Sequence, residues 1–344
     1  MIEVPNIFYL TYHILKQVEK DKVITYGDIA QLLGDKIASR AVGRLMAINK
    51  YPNDIPCYKV IHSDGSVGKY SGPGGTKEKI RRLKNDGIAV SSSGKINLSK
   101  HRQDLSNIRV IPYLKSLKKI QATLAHLVDT SKHVSIDDVN LIVSTDVSYI
   151  ESYPDFGIGA AVLLECKTNC RLLEFVTVIQ AIYFPYIPTY LAFRELPVLL
   201  SAINELIKET KTKPDLFLFD GHGVLHPRGF GLASHAGILL NMPSIGIAKS
   251  KLVGKEDKSA KEERGKIYVK VTVNEKYYGY KIFPKNKPKK SIYVSPGNLI
   301  NHESALEFVI SKGWVKNRYY PMLIPHKIVS GFRKVLVDML KVKK

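Results

Sequence analysis

The sequence has 344 residues, enough for two domains, and 44% of them are apolar, which is enough to build sizeable hydrophobic cores. It contains no run of 18 apolar residues, which excludes a membrane-spanning helix of the usual kind. The formal net charge is +21, with +7 in residues 1–100 and +14 in residues 101–344, so both halves favour a polyanion such as nucleic acid. Solubility alone is the other explanation for this charge.

The chain has three cysteines, and an odd count argues against a disulfide framework. We therefore expect a reducing, cytoplasmic location. Cys166 and Cys170 flank a three-residue stretch that predicts a hairpin turn with two packed thiols. They do not predict a metal site, because no second ligand pair follows them. The N-terminus lacks the features of a signal peptide.

Residues 1–98 predict a small α+β domain that begins with a strand or turn and an amphipathic helix. Residues 25–49 then contain two short helices separated by Gly34, which is helix-turn-helix spacing. Arg40 and Arg44 lie four residues apart on the second helix, so both can face a phosphate backbone. Residues 99–112 belong to a polar stretch that predicts a connector.

Residues 113–344 predict an α/β domain with a sheet of mixed strand direction. A helical pattern resumes at Val110 and precedes the first strand of this domain. The expected strands are 139–145, 158–165, 172–180, 215–219, 244–248, 267–273 and 277–283, and the expected helices are 194–209, 229–240 and one after Asn301.

The first domain carries the motif IPCYKVI at residues 55–61, which includes Cys57. TYGDIA and SRAVGRLM precede this motif, and GSVGKYSG and NDGI follow it. In this arrangement, Thr25–Gly87 resembles the DNA-binding, active-site domain of O6-alkylguanine-DNA alkyltransferases. The resemblance covers about a quarter of the chain, and the order of the flanking blocks makes it specific.

The resemblance implies a role for each matching residue. Cys57 would take the alkyl group from a flipped guanine, irreversibly, which requires a thiolate. Arg40 would enter the duplex in place of the flipped base. Tyr26 would rotate the 3′ phosphate or donate to the guanine, and Asn49 would order the active-site loop.

Two positions depart from the family pattern, which has His after the cysteine and Glu near the end of the domain. Tyr58 and Asp86 stand there in this chain. Since tyrosine is a poor base near neutral pH, the thiolate would depend on the start of the second helix, on Lys59 or on a water held by Asp86. The alternative is that Cys57 is a structural thiol in a relative that only binds lesions.

Three carboxylates in the second domain lie at suggestive places. Asp146 ends one predicted strand, Asp220 ends another, and Glu195 lies near the start of a helix. Carboxylates at strand ends converge at one edge of an α/β sheet, where their oxygens can hold Mg²⁺. Taken singly, Asp220 also fits an Asx turn before Gly, and Glu195 fits a helix N-terminal acid.

Five long blocks surround these carboxylates in a fixed order: TDVSY (145–149), FPYIPTYLAFRELP (184–197), DGHGVLHPRGFGLASHAGILL (220–240), PSIGIAKSKLVG (243–254) and YVSPGN (293–298). Over about residues 113–340 the chain resembles endonuclease V, a metal-dependent nuclease that acts on deaminated purines. The resemblance implies a ribonuclease H-like fold, which agrees with the predicted order of strands.

The same resemblance implies that Asp146, Asp220 and Glu195 bind Mg²⁺, with Mn²⁺ as an alternative. His326 takes the place of a late catalytic histidine that positions the attacking water or the phosphate. Lys249 stands where the family has a lysine near the scissile phosphate.

Lesion recognition follows from the same alignment. Tyr186 in the PYIP segment matches a wedge that splits the duplex, and Thr189 replaces the glycine that is common after it. Gly221, Leu232 and Leu252 match the pocket for flipped hypoxanthine. His226 is expected near the site, or only as a cap of its loop.

The sequence as a whole predicts a fused, bifunctional DNA-repair enzyme. One domain would dealkylate O6-alkylguanine, and the other would nick damaged double- or single-stranded DNA on the 3′ side of deoxyinosine with Mg²⁺. We expect a monomer with no membrane partner. Two alternatives stay open: the first domain is a non-catalytic lesion-recognition module that delivers the nuclease, or the nuclease acts on inosine-containing RNA.

Overall fold

The computed structural model describes residues 4–151, 154–167 and 169–342. The chain divides into two compact units, one formed by Met1–Lys119 with Tyr183–Pro188, and the other by Ile120–Ile182 with Thr189–Lys344. Each unit has its own buried core and is described here by itself.

The first unit is mainly helical, with one short parallel strand pair. Its helices are α1 (Ile7–Lys16), α2 (Tyr26–Leu33), α3 (Ser39–Ala47), α4 (Gly75–Asn85), α5 (Leu98–His101) and the first half of α6 (Tyr113–Ala125), and its strands are β1 (Ile24–Thr25) and β2 (Val60–Ile61). A single 3-10 turn at Cys57–Lys59 leads directly into β2.

The predicted helix-turn-helix is α2, a short turn and α3. Thr25 caps α2 in a reciprocal capping box with Asp28, which satisfies two backbone donors of the first turn. Gly34 ends α2 in the left-handed region at φ +109°, where a side chain is strained. A Cβ at Gly34 would lie 2.5 Å from the backbone N of Lys115 and 2.8 Å from the carbonyl O of Pro112. The turn therefore requires glycine for two separate reasons.

The stretch 99–112, expected to be a connector, is bonded into the first unit. The backbone N–H of Val23 donates to the carbonyl of His101, and the N–H of Gln103 donates back to the carbonyl of Val23. Arg102 forms an ion pair with the buried carboxylate of Asp28. Residues 101–103 therefore pair with Val23, directly before β1 and the helix-turn-helix.

The second unit is built on a nine-stranded mixed sheet, ordered β5-β4-β3-β6-β7-β11-β10-β9-β8. Its strands are β3 (Leu141–Ile150), β4 (Asp155–Glu165), β5 (Arg171–Ile182), β6 (Leu216–Phe219), β7 (Ser244–Ala248), β8 (Lys255–Glu263), β9 (Lys266–Val273), β10 (Lys276–Pro284) and β11 (Ile292–Asn298), with a small separate pair β12 (Trp314–Val315) and β13 (Arg318–Tyr319). Only β3, β6 and β7 run parallel to one another; the other neighbours in the sheet are antiparallel.

Helices cover both faces of this sheet, so the unit has three layers. The helices are α7 (Leu191–Thr210), α8 (Leu232–Leu240), α9 (His302–Ser311) and α10 (Tyr320–Val342). Alternate residues of β3 point to opposite faces of the sheet and belong to two separate hydrophobic cores. Ile142 packs with α9 and α10, whereas Val143 packs with α7 and α8. The mixed α/β class expected from the sequence is confirmed.

Among the elements that the sequence did not predict, three were missed for clear physical reasons. β8 is almost entirely exposed and polar, so it lacks the alternation that indicates a strand. β11 contains Pro296 and Gly297, both of which weaken a strand prediction. α10 has Pro325 inside it, a residue that normally predicts a helix boundary.

The two thiols expected at the β4–β5 turn are instead joined as a disulfide, so that expectation was wrong. Cys166 directly follows β4 and Cys170 directly precedes β5, and antiparallel pairing brings their Cα atoms within 4.1 Å. The odd count of cysteines did not exclude this bond, because Cys57 is the one left as a free thiol. No helix in the described part of the chain is long and apolar enough to cross a membrane.

Gly34→Ala should destabilise the first unit by about 3 kcal/mol, combining a left-handed backbone with overpacking. Gly94 is the matched control, because it has φ +71° but nothing within 4 Å of its Cβ position. Gly94→Ala should cost only about 1 kcal/mol. Denaturant unfolding followed by circular dichroism measures both, and equal losses would show that the contacts at Gly34 do not matter.

Candidate active sites

The parallel pairing of β3 and β6 brings two carboxylates together. Thr145 lies opposite Phe219 in this register, so the residues that follow them are neighbours, Asp146 within β3 and Asp220 directly after β6. Asp146 is 8% exposed, whereas Asp220 lies at the open end of β6. The expectation that Asp146 ends its strand was wrong, because pairing with β4 continues β3 to Ile150.

Glu195 reaches the same place from the second turn of α7. The hydroxyl of Tyr149, on β3, donates to its Oε1 at 2.7 Å. The guanidinium of Arg194 lies 4.1 Å from the centre of the Tyr149 ring and 3.0 Å from the fully buried carboxylate of Asp155. These partners fix the orientation of Glu195, and the sequence alone did not single out Tyr149, Arg194 or Asp155.

The three carboxylates repel one another. Burial, followed by the neighbouring charges of Asp146 and Asp220, raises the pKa of Glu195 to about 8, against a lowering by the Tyr149 hydrogen bond. Burial and the charge of Asp220 also raise the pKa of Asp146, although a hydrogen bond from His326 opposes the shift. Both burial and the proximity of the carboxylates therefore disfavour their charged forms.

Two basic side chains complete the cluster. The ammonium of Lys249, in the loop after β7, lies 2.5 Å from Oδ2 of Asp220. Burial acts to lower the pKa of Lys249, but the charges of Asp220 and the other carboxylates raise it overall. Nδ1 of His326, on α10, lies 2.9 Å from Oδ2 of Asp146. Lys249 and His326 remain largely accessible, so the cluster opens to solvent.

This donor set fits a hard divalent cation. Its oxygens come from three carboxylates, and burial together with the neighbouring carboxylates raises the pKa of two of them, Asp146 and Glu195. In the described ranges, no three His, Cys, Asp or Glu side chains are already spaced as ligands of one metal ion. The ammonium of Lys249 meanwhile supplies positive charge to Asp220.

A groove of about 340 Å³ runs beside Asp220, Lys249 and His326. Lys290 and Arg318 also line it, and neither forms an ion pair with any described residue. Two such cations beside the acidic cluster suit a phosphodiester strand. The sequence indicated only that the domain is basic and did not identify these two positions.

The residues expected to bind the flipped base are only partly brought together. Leu232, at the start of α8, packs on Gly221, where a Cβ would meet Leu232 Cδ2 at 3.0 Å. Leu252 is 39% exposed on the loop that follows Lys249. His226 is buried, with Nε2 3.1 Å from the carbonyl of Thr189, and burial lowers its pKa to about 3. Its contacts are those of a neutral histidine that caps its loop.

The segment expected to act as a wedge exposes one aromatic side chain. Tyr186 is 58% exposed, whereas Pro185 and Ile187 on either side of it are buried. Anchored neighbours hold the backbone still while the ring points into solvent, where it can stack on a base.

Thr189 adopts φ +69°, the left-handed region that explains why glycine is common at this position. A β-branched residue is strained there, and its neighbours hold it in place. Its carbonyl accepts hydrogen bonds from Arg228, Gln121 and His226, and its hydroxyl accepts one from Arg228 at 2.8 Å. Thr189 is thus fixed by three surrounding side chains.

The second candidate site surrounds Cys57, which is 5% exposed. Nδ2 of Asn49 donates to Sγ of Cys57 at 3.1 Å and to the carbonyl of Ile55 at 3.3 Å, so it also ties down the loop before the cysteine. Tyr26, the first residue of α2, is near enough that its pKa is raised by burial and then by Cys57. Arg40 is exposed on α3.

Tyr58 and Asp86, at the two departures from the family pattern, bond to each other. The Tyr58 hydroxyl donates to Oδ2 of Asp86 at 2.8 Å, and burial together with this bond raises the pKa of Tyr58. The ammonium of Lys59 lies 3.5 Å from the same carboxylate and donates to the carbonyls of Val18 and Glu19. None of these hydrogen bonds and ion pairs involves Sγ of Cys57.

Comparisons with known proteins define the class of protein. The endonuclease V family matches residues 122–321, and the DNA-binding domain of 6-O-methylguanine DNA methyltransferase matches residues 8–88. The crystal structure of endonuclease V from Bacillus subtilis is 27% identical, covers 68% of this chain and 96% of its own, and has a TM-score of 0.57. A crystal structure of endonuclease V from Ciona intestinalis contains DNA with an inosine followed by a ribo-adenosine. It is 24% identical, covers 66% of this chain and 100% of its own, and has a TM-score of 0.57.

The two matches define a DNA-repair protein that combines a methyltransferase with an endonuclease. A protein from Picrophilus torridus named bifunctional methyltransferase/endonuclease is 38% identical over 96% of this chain and 97% of its own length. The chain belongs to the endonuclease V family, in its bifunctional methyltransferase/endonuclease branch. Endonucleases of this family generally use a divalent metal ion.

Thr189→Gly should be more stable than Thr189→Ala by about 1 kcal/mol, because only glycine adopts a left-handed backbone without strain. Both variants lose the hydroxyl that bonds Arg228, so the difference between them isolates the backbone. Free energies of unfolding in denaturant measure it. An alanine variant as stable as the glycine variant would contradict the left-handed conformation.

Proposed function

We propose that the acidic cluster of the second unit cleaves the DNA strand on the 3′ side of deoxyinosine, at the second phosphodiester, and that Cys57 of the first unit accepts the alkyl group of O6-alkylguanine. The observation that carries the nuclease part is the meeting of Asp146, Asp220 and Glu195 beside two basic side chains. The alkyltransferase part rests on the free thiol of Cys57 and the amide that bonds it.

In the nuclease, Asp146, Asp220 and Glu195 hold Mg²⁺, with Mn²⁺ as a substitute. When bound, the ion stabilises the negative charge that develops on the phosphate during cleavage. Lys249 adds positive charge on the phosphate side of Asp220, and His326, bonded to Asp146, positions the attacking water or the phosphate. Lys290 and Arg318 hold the adjoining strand in their groove.

Lesion recognition is assigned to three further groups. Tyr186 enters the duplex as the wedge, because its ring is exposed on an anchored backbone. Gly221 and Leu232 form the wall against which the flipped base packs, and Leu252 closes it from the exposed loop. His226 supports the site indirectly by holding Thr189.

In the alkyltransferase, the exposed Arg40 enters the duplex and Tyr26 contacts the 3′ phosphate or the flipped guanine. Asn49 orients Sγ of Cys57 and the loop before it. Tyr58 and Asp86 support the loop after it through their mutual hydrogen bond. We assign this activity to residues 1–98 and the nuclease to 113–344, with 99–112 between them. The monomeric state and the cytoplasmic location remain predictions from the sequence.

The test uses pure full-length protein with end-labelled inosine and O6-methylguanine duplexes, each with Mg²⁺, with Mn²⁺ or with a chelator. We expect metal-dependent nicking of the inosine strand and metal-independent loss of the Cys57 thiol, one equivalent per protein. A matched inosine RNA strand is included, because the Ciona intestinalis relative was crystallised with a ribo-adenosine after the inosine. Faster cleavage of the RNA strand than of the DNA strand would show that inosine-containing RNA is the preferred substrate.

Two substitutions should separate the activities. Cys57→Ala should abolish alkyl transfer and leave nicking unchanged, whereas Asp220→Ala should lower nicking by about 100-fold or more and leave transfer unchanged. The reason is that the residues assigned to the two chemistries do not overlap. Thermal unfolding checks that both variants fold, and loss of both activities in either folded variant would defeat the two-site proposal.

Tyr149→Phe should lower nicking by about 10- to 100-fold, because it removes the hydrogen bond that orients Glu195 while keeping the ring beneath Arg194. Alkyl transfer by the same protein is the internal control and should not change. Single-turnover cleavage of the inosine duplex provides the rate. An unaltered nicking rate would show that Glu195 does not need this bond.

A further inference from the structure

The nine-stranded sheet of the second unit ends in two edge strands, β8 and β5, which differ in chemistry. β8 is almost entirely exposed, and all of its nine residues except Ser259 and Ala260 are charged. Charged side chains on an edge strand discourage pairing with another chain. β5 has 12 residues, of which only Arg171 and Glu174 are charged. The edge formed by β5 therefore lacks the protection that β8 has.

β5 exposes apolar side chains along this unprotected edge. Leu172, Leu173 and Phe175 are each 38% exposed, and Ile179 is 53% exposed. The strand contains no proline and no glycine, the residues that most weaken pairing with another strand. Among the residues that the structure describes, β5 pairs with β4 alone, so its outer side is open to a further strand.

One hydrogen bond identifies the backbone groups on the outer side of β5. The N–H of Phe175 donates to Oε1 of Glu174, the residue before it, at 2.9 Å. This donor is satisfied within its own strand, so it faces the open edge and not β4. Backbone groups of alternate residues point to the same side of a strand, so those of Thr177 and Ile179 face the open edge as well.

The sequence of this edge is symmetric in chemical character. Residues 174–180 read EFVTVIQ, with Thr177 at the centre. The residues at equal distances from Thr177 are alike: Val176 and Val178, Phe175 and Ile179, Glu174 and Gln180. When two identical strands pair in antiparallel fashion about a two-fold axis, residues at equal distances from the axis lie opposite each other. An axis at Thr177 therefore sets each of these residues against one of similar chemistry.

The two faces of β5 fit this register. Val176 and Val178 are partly buried against the core that contains α7, so that face is already ordered. Phe175 and Ile179 lie on the opposite face, and pairing with each other would cover both of them.

Neighbouring registers fit less well. Moving the axis by one residue in either direction would place the carboxylate of Glu174 opposite Val178 or Ile182. It would also place Phe175 opposite Thr177 or Ala181. The pattern of side chains therefore selects the axis at Thr177.

We propose that β5 is a self-association surface, through which two copies of this chain pair their β5 strands antiparallel about a two-fold axis at Thr177. The N–H of Phe175 then exchanges its bond with Glu174 for one to the carbonyl of Ile179 of the partner subunit. The sheet continues from one copy into the other, which removes the open edge from both. This dimer stands in place of the monomer expected from the sequence, and it does not depend on either proposed activity.

The first test measures the mass of the full-length protein by sedimentation at concentrations up to about 100 μM. We expect wild type to rise from 38.6 kDa toward twice that mass as the concentration increases. Thr177→Lys sets two like charges opposite each other at the axis, so this variant should keep the mass of one chain. Ser259→Lys adds the same charge to the other edge strand and should behave as wild type. Thermal unfolding verifies that both variants fold.

The second test uses cysteines to determine the register, in a Cys57→Ala background that carries no other free thiol. Thr177→Cys should form a disulfide between two chains on mild oxidation, because the two thiols meet at the axis. Gln180→Cys is the matched control, since its two copies would lie about 20 Å apart along the paired strands. It should not crosslink with itself, but it should crosslink with Glu174→Cys when the two variants are mixed.

Two results would overturn the inference. One is a wild-type protein that keeps the mass of a single chain at every concentration. The other is a dimer that persists in Thr177→Lys or that crosslinks as readily through Gln180→Cys alone as through Thr177→Cys, because a different surface would then hold the two copies together.

Discussion

The parallel register between β3 and β6 is the constraint on which the nuclease unit depends. It brings Asp146, within β3, beside Asp220, directly after β6, and α7 adds Glu195 to the same place. Burial raises the pKa of Asp146 and of Glu195, and the neighbouring carboxylates raise both pKa values further. The folded core of the sheet supplies the free energy that holds them there. A site strained in this way is one that a divalent cation stabilises, which is the reason we assign it to metal-dependent chemistry.

The groups around this cluster act as supports for it. Tyr149 links Glu195 to the buried pair of Arg194 and Asp155, so the carboxylate is aimed by a chain of contacts that crosses from β4 to α7. Thr189 is held in a left-handed conformation by Arg228, Gln121 and His226 just before α7 begins. Both arrangements place side chains around a rigid framework and leave Lys249 and His326 accessible to a substrate.

The first unit also holds a buried charged side chain. There Lys79 donates to the carbonyl of Val60 and forms no ion pair with any described residue. The departure of Tyr58 and Asp86 from the family pattern is a coupled one, because the tyrosine hydroxyl and the carboxylate bond to each other. Removing the carboxylate of Asp86 would leave the partly buried hydroxyl of Tyr58 without this partner, whereas Asp86 also lies 3.5 Å from the ammonium of Lys59. The pair therefore supports the turn that carries Cys57.

Local signals in the sequence determined the helix-turn-helix, the boundaries of β7, the strand end that precedes Asp220, and the motifs around Cys57. They placed a strand end at Asp146, whereas β3 continues to Ile150. Capping residues, glycine turns and apolar periodicity act over a few residues, so they can be read without a fold. Only the tertiary structure decided what meets across the chain: Tyr149 with Glu195, Lys79 with the carbonyl of Val60, Tyr58 with Asp86, and the disulfide between Cys166 and Cys170. The local sequence pattern also did not predict β8, because an exposed edge strand needs no alternation of apolar and polar residues. Burial and pairing between distant residues depend on how elements pack, and no pattern within one segment encodes that.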